Sequence, residues 1–205
     1  MARTVKRKGQ YLWPPGTRRS DPWVFAYGSL MWKPGFAHVA AKPGRLYGFH
    51  RALCMWSVHY RGTARRPGLV LGLSPGGSCL GRCFRIERAR WPGVFAKLYR
   101  REMITGMYRQ QWCRVAVDEG RAGRRGKRRV KKKIWALAFL SDRAHPQYAG
   151  KLPDEVMLAA IAKAKGRKGR SREYLADLVR HLDELGIRDG PLHRLHRRLE
   201  DKAGR

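Results

Sequence analysis

The stretch Trp23-Val-Phe-Ala-Tyr-Gly-Ser-Leu-Met-Trp-Lys-Pro34 constrains what this chain can fold into more than any other segment. Trp23, Val24, Phe25 and Ala26 form an uninterrupted apolar run, the pattern of a strand buried on both faces. Such a strand has no solvent side, so the rest of the chain must cover it above and below. The run ends in a glycine-serine turn with aromatics on either side. Gly28 permits a positive φ and the close approach of another backbone or a ligand. Ser29 adds a hydroxyl, and free amides of the turn would suit an anion. A core strand ending in an ordinary turn accounts for the same letters.

The remaining periodicities supply that cover. Strands are expected at 23–30, about 45–60, 68–73, 79–87, 107–117 and 131–140, with Ser74-Pro-Gly-Gly-Ser78 as a turn between two of them. A helix is expected over 91–105, with Pro92 in its first turn, where a missing N–H costs nothing. Leu175, Leu178, Val179, Leu182 and Leu185 recur at helical spacing before a stop at Gly186, and Leu192, Leu195 and Leu199 mark a last helix. The expected class is α+β, with a mixed barrel-like β-sheet, flanking helices and a helical C-terminal third. Residues 1–21 read as a basic flexible lead, and 22–205 as a single domain.

Charge bears on partners rather than on fold. The chain carries 46 Lys and Arg against 15 Asp and Glu, a net charge of +31. That field attracts polyanions in general. Its densest run, residues 121–133, reads as a basic loop insertion between two apolar segments, and a third basic cluster, Lys163 to Arg172, lies between helices. Loop and tail positions predict non-specific polyanion binding and no specific nucleic acid. No apolar run approaches the ~18 residues of a membrane span, and Met1–Gln10 is followed by no apolar signal core, so the expected location is cytoplasmic, with no membrane partner. Cys54, Cys79, Cys83 and Cys113 lack zinc-ribbon spacing and read as reduced structural thiols. No Walker-type loop is present and Ser29 sits in no G-x-S-x-G elbow, so phosphate binding and a nucleophilic Ser29 have no support.

One acidic residue stands out. On the helix 91–105, Phe95, Leu98 and Tyr99 set an apolar stripe, and the next position on it is Glu102. A glutamate continuing a buried face must find a cation or accept a raised pKa. It is either a staple to Arg101, Arg109 or another arginine, or a functional acid/base.

Five blocks in fixed order resemble the ChaC-type γ-glutamylcyclotransferases, enzymes that act on glutathione. They are Trp23 to Trp32 with Pro34-Gly-Phe36; His59-Tyr-Arg-Gly-Thr63 with Arg66-Pro-Gly-Leu69; Tyr99-Arg-Arg-Glu-Met103 with Gly106-Met-Tyr-Arg109; His145 to Gly150; and Gly169 to Leu175. The resemblance implies a γ-glutamylcyclotransferase-like fold. It implies that Tyr27, Gly28, Ser29 and Leu30 bind the γ-glutamyl group and that Glu102 is the catalytic acid/base. The reaction it implies is a lyase-type release of 5-oxoproline and Cys-Gly, with no metal and no cofactor. Arg61 is a candidate for the substrate's glycine carboxylate. Ala26 and Ser171 depart from the family pattern, which has glycine and asparagine there in many relatives. A cyclotransferase for another γ-glutamyl amine or dipeptide, or a nucleic-acid-associated protein using the fold as a scaffold, are the alternatives. Deleting 121–133 is expected to weaken retention on heparin or RNA while leaving turnover largely unchanged; a collapse of turnover would instead place the segment in the site.

Overall fold

The computed structural model describes residues 13–15, 20–121 and 129–202. Most of the basic lead 1–21 lies outside them. The chain forms two compact units, Met1–Phe49 with Gly76–Leu140, and His50–Pro75 with Ser141–Arg205.

The first unit contains β1 (Trp23–Ala26), the start of β2 (Ala40–Ser57), the end of β3 (Gly68–Arg85), helix α1 (Trp91–Glu102), β4 (Tyr108–Arg121) and nearly all of β5 (Arg129–Ser141). The strands close a barrel in the order β1-β3-β2-β4-β5. β1 is antiparallel to β3, with Val24 opposite Phe84, and parallel to β5, with Val24 opposite Leu137. The sheet is therefore mixed, as expected. Val24, Phe25 and Ala26 are fully buried, and so are Ala136, Leu137 and Ala138 on β5. On β4, Cys113, Val115 and Val117 point inward and Arg114 outward, the alternation of a strand with one wet face.

Several expectations change: the strand expected over 23–30 stops at Ala26, and the helix expected over 91–105 stops at Glu102. β3 runs unbroken from Gly68 to Arg85, so Ser74-Pro-Gly-Gly-Ser78 is no chain reversal. Gly76 and Gly77 both take positive φ, 97° and 65°, which bends the strand locally and lets it continue in the same ladder. The loop expected over 121–133 is also narrower. Arg121 ends β4 and residues 129–133 begin β5, because a ladder is made by backbone groups and tolerates charged side chains along it. Residues 122–128 lie outside the described part. Replacing only those seven with a short Asn-Gly turn is thus the cleaner test of the charge.

In the second unit, α2 (Asp154–Lys163), α3 (Ser171–Glu184) and α4 (Gly190–Asp201) pack on one another through Leu158, Ile161, Leu175, Leu178, Leu182, Leu192, Leu195 and Leu199. α3 ends as expected at Gly186, with φ 64°. The Gly186 amide donates to the Asp183 carbonyl and the Ile187 amide to that of Leu182, closing the last turn. Asp189 caps α4 by accepting from the Leu192 amide and also pairs with the buried Arg51 guanidinium at 3.0 Å. A two-residue hairpin, β6 (Lys165–Gly166) and β7 (Gly169–Arg170), occupies the basic cluster that the sequence placed between helices. Ser171 is fully buried; its hydroxyl bonds both the amide and the carbonyl of Leu69.

All four cysteines are buried free thiols, as expected. Burial pushes Cys83 up to about 12 and Cys113 up to about 11, so both stay protonated near neutral pH.

The pairing of β1 with β3 leaves no room for a side chain at Gly81. A Cβ at Gly81 would collide with the Ala26 carbonyl oxygen and lie 2.8 Å from the Phe25 ring. Backbone cannot give way as a flexible side chain can. Gly81→Ala is expected to cost about 1–3 kcal/mol, read as a lowered urea midpoint; an unchanged midpoint would show that β1 has slack.

Candidate functional site

The end of β1 delivers the turn. Tyr27 and Gly28 leave the strand, and Ser29–Met31 form one 3-10 turn closed by the Met31 amide on the Gly28 carbonyl at 2.8 Å. Gly28 has φ −131°, so the positive φ that a glycine permits is not used here. The Tyr27 side chain is buried, and its hydroxyl donates to the Phe139 carbonyl of β5 at 2.8 Å. Leu30 is buried too. Two of the four turn residues therefore anchor the segment by their side chains. What they can offer a ligand is backbone, and the first amides of a helical turn have no partner within it.

Helix α1 delivers the carboxylate. Its buried stripe is Trp91, Val94, Phe95 and Leu98, at helical spacing. Tyr99, expected on that stripe, is 37% exposed at its edge. Glu102 continues the stripe as the last helical residue, with its side chain 19% exposed. Burial raises its pKa, and the neighbouring Arg101 charge partly offsets this. The C-terminal end of a helix carries partial negative charge, which also works against a carboxylate.

Arg101 joins the two halves. Its Nε lies 3.1 Å from Glu102 Oε1. Its Nη2 donates to Ser29 Oγ at 2.9 Å, and its Nη1 to the Lys33 carbonyl at 2.6 Å. The sequence names Arg101 as one possible staple for Glu102. It does not reveal the reach to Ser29, because contacts across 72 positions leave no periodic signal.

Arg61 belongs to the second unit. There its Nη1 donates to the Arg170 carbonyl at 3.3 Å, and its guanidinium lies over the Tyr174 ring, 5.2 Å from the centroid. The structure thus brings Tyr27, Gly28, Ser29, Leu30 and Glu102 into one unit and describes Arg61 in the other. Ser171 is fully engaged with Leu69, which accounts for it structurally. Among the described residues no group of three or more His, Cys, Asp and Glu is arranged to hold a metal ion.

Comparison with known proteins places the chain among relatives of one kind. A family model described as "ChaC-like protein" matches residues 22–202. The chain is 36% identical over 173 residues to the glutathione-specific gamma-glutamylcyclotransferase of Escherichia coli K12, covering 84% of this chain and 70% of that one. It is 45% identical over 192 residues to the enzyme of the same name from Schizosaccharomyces pombe, covering 83% and 87%. Among solved structures, a yeast gamma-glutamyl cyclotransferase specific to glutathione superposes with a TM-score of 0.77 at 21% identity, over 89% of this chain and 96% of that one. That likeness speaks for the fold.

Glu102 sets a pH dependence of stability. Its folded pKa lies above the ordinary 4.5, so between the two values the folded chain binds more protons than the unfolded chain. Stability then falls as pH rises from 4.5 through the folded pKa and levels off above it. Glu102→Gln removes that loss. Urea midpoints measured from about pH 4 to about pH 8 are expected to shift progressively in favour of the Gln variant. A shift favouring wild type would mean that Arg101 outweighs burial.

Proposed function

The chain belongs to the ChaC-like family, and from that premise we propose that it is a glutathione-specific γ-glutamylcyclotransferase. It cyclises the γ-glutamyl group and releases 5-oxoproline and Cys-Gly. The observation that carries this reading to the site is the Tyr27–Leu30 turn and Glu102 held on one guanidinium, Arg101.

The chemistry asks little of the protein beyond placement and one proton carrier. The γ-glutamyl α-amino nitrogen attacks the γ-carbonyl carbon of the same molecule, forming a five-membered ring, so proximity is built into the substrate. The substrate ammonium must first lose one proton, and the ring nitrogen loses a second once it has attacked. As the C–N bond to the cysteinyl nitrogen breaks, that nitrogen takes up one proton, and a second completes the Cys-Gly ammonium. No water is consumed. A single carboxylate serves both transfers when its pKa lies nearer neutrality than that of a free glutamate. Burial gives Glu102 that character.

In this reading the Gly28–Leu30 backbone holds the substrate α-carboxylate or the developing oxyanion. Tyr27 and Leu30 fix the turn from below. The assignment of Arg61 to a substrate carboxylate rests on its chemistry alone: a half-buried guanidinium with no carboxylate partner among the described residues. No helix among the described residues is long and apolar enough to cross a membrane; a cytoplasmic location is part of the proposal.

The test is a panel of γ-glutamyl compounds assayed for 5-oxoproline. Glutathione is expected to be turned over, and Glu102→Gln to lower kcat by at least about a hundredfold while remaining folded. Release from other γ-glutamyl amines but not from glutathione would move the substrate assignment. Near-wild-type turnover by the Gln variant would remove Glu102 from the chemistry.

A further inference from the structure

Arg101 does more in this structure than neutralise its neighbour. Consecutive residues on a helix do not face each other. Glu102 points along the apolar stripe, whereas Arg101 starts on the adjoining face, 34% exposed, and still reaches it at 3.1 Å. The remaining nitrogens do not go to solvent. One meets Ser29 Oγ and the other the Lys33 carbonyl, with the Pro34 carbonyl at 3.5 Å from the same atom. Each of these contacts lies on the segment that follows β1. A rigid planar fork that spans a hydroxyl, a carbonyl and a carboxylate fixes their spacing in a way that a single point charge does not.

We propose that Arg101 is a positioning residue for the cyclisation: its guanidinium holds the substrate-binding turn and the Glu102 carboxylate in one frame and keeps that carboxylate able to cycle its proton. The proposal rests on Glu102 being the acid/base. It separates two duties of one side chain. The fork sets geometry through Ser29 and Lys33, and the charge sets the protonation balance of Glu102.

The elements on either side of this carboxylate carry further cations. Arg100 and Arg101 lie in the last turn of α1, and Lys97 sits one turn back, near Gly35. Lys33 lies on the facing segment, and Arg109 at the start of β4. Of these, Arg101 is the one whose charge acts on Glu102, and it opposes the effect of burial. Removing the charge leaves burial unopposed, so the carboxylate takes up its proton at still higher pH.

The experiment is the pH profile of kcat/KM for 5-oxoproline release from glutathione, with KM and kcat separated, for wild type, Arg101→Gln and Arg101→Lys. Arg101→Gln is expected to move the acidic limb up by about one pH unit and to raise KM about tenfold as the turn is released. Arg101→Lys keeps the charge and loses the fork, so its limb stays near the wild-type position while KM still rises. Ser29→Ala removes one arm of the frame and is expected to raise KM without moving the limb. That variant and Arg101→Lys keep the test decisive if Arg101→Gln does not fold. A limb and KM within about twofold of wild type in the folded Arg101 variants, with only a lower melting temperature, would reduce Arg101 to a staple and overturn the proposal. Glu102→Gln, run alongside, separates the two readings. If it is inactive and the Arg101 variants leave limb and KM unmoved, only the role of Arg101 fails. If it remains active, the acid/base reading itself fails.

Discussion

The rest of the first unit depends on how four residues, Trp23–Ala26, are held. β1 pairs with β3 on one edge and β5 on the other, antiparallel and parallel respectively, and so closes the barrel. A strand this short contributes few ladder bonds of its own, and its stability comes from burial of Val24, Phe25 and Ala26 on all sides. The bare Cα of Gly81 allows the close approach of the Ala26 carbonyl, and the Tyr27 hydroxyl ties the outgoing chain to the Phe139 carbonyl. The segment 27–34 therefore starts from a fixed point. A turn on a loose strand would have no defined distance to anything on α1.

From that fixed point the site needs a second one, and α1 supplies it through an imbalance. Its stripe of Trp91, Val94, Phe95 and Leu98 docks the helix, and the register of that docking carries Glu102 out of water whether or not a carboxylate suits the place. Burial and the helix terminus both favour the neutral acid. Arg101 favours the anion. Burial outweighs the guanidinium, so the pKa of Glu102 lies above that of a free glutamate, the direction that the proposed proton transfers ask for.

Much of this was legible in the residues, for reasons that differ from element to element. β1, α1 and the stop at Gly186 follow from local rules: a continuous apolar run, a proline in a first turn, a glycine with positive φ. Glu102 was legible because it breaks a 3.6-residue pattern. The bend at Gly76 and Gly77 was not, since two glycines after a proline signal a chain reversal by local chemistry, and only the continuing ladder of β3 turns them into a kink. The ends of the basic loop were misplaced for a similar reason, because strand pairing is a backbone property that charged side chains conceal. The misreading of Tyr99 shows how narrow the margin is: one helical position, about 100° of rotation, separates the buried stripe from its exposed edge. The bridge from Arg101 to Ser29 had no sequence signal because it joins residues distant in the chain through polar groups that carry no periodicity.

The overall charge sharpens the meaning of the buried acid. With 46 basic and 15 acidic side chains, a surface carboxylate of this protein has cations in excess to pair with. Glu155 and Glu184 behave that way: their arginine and histidine partners lower their pKa values, and each sits exposed on a helix of the second unit. Glu102 moves in the opposite direction even with an arginine beside it. Exposure explains the difference. Solvent leaves the surface carboxylates little desolvation to overcome, whereas Glu102 ends an apolar stripe and gives up much of its hydration. In so basic a chain, a carboxylate is shifted toward its neutral form only where burial outweighs the surrounding cations. The guanidinium beside it can then be spent on geometry, since its charge is shared with the Ser29 hydroxyl and the Lys33 carbonyl rather than committed to the acid alone.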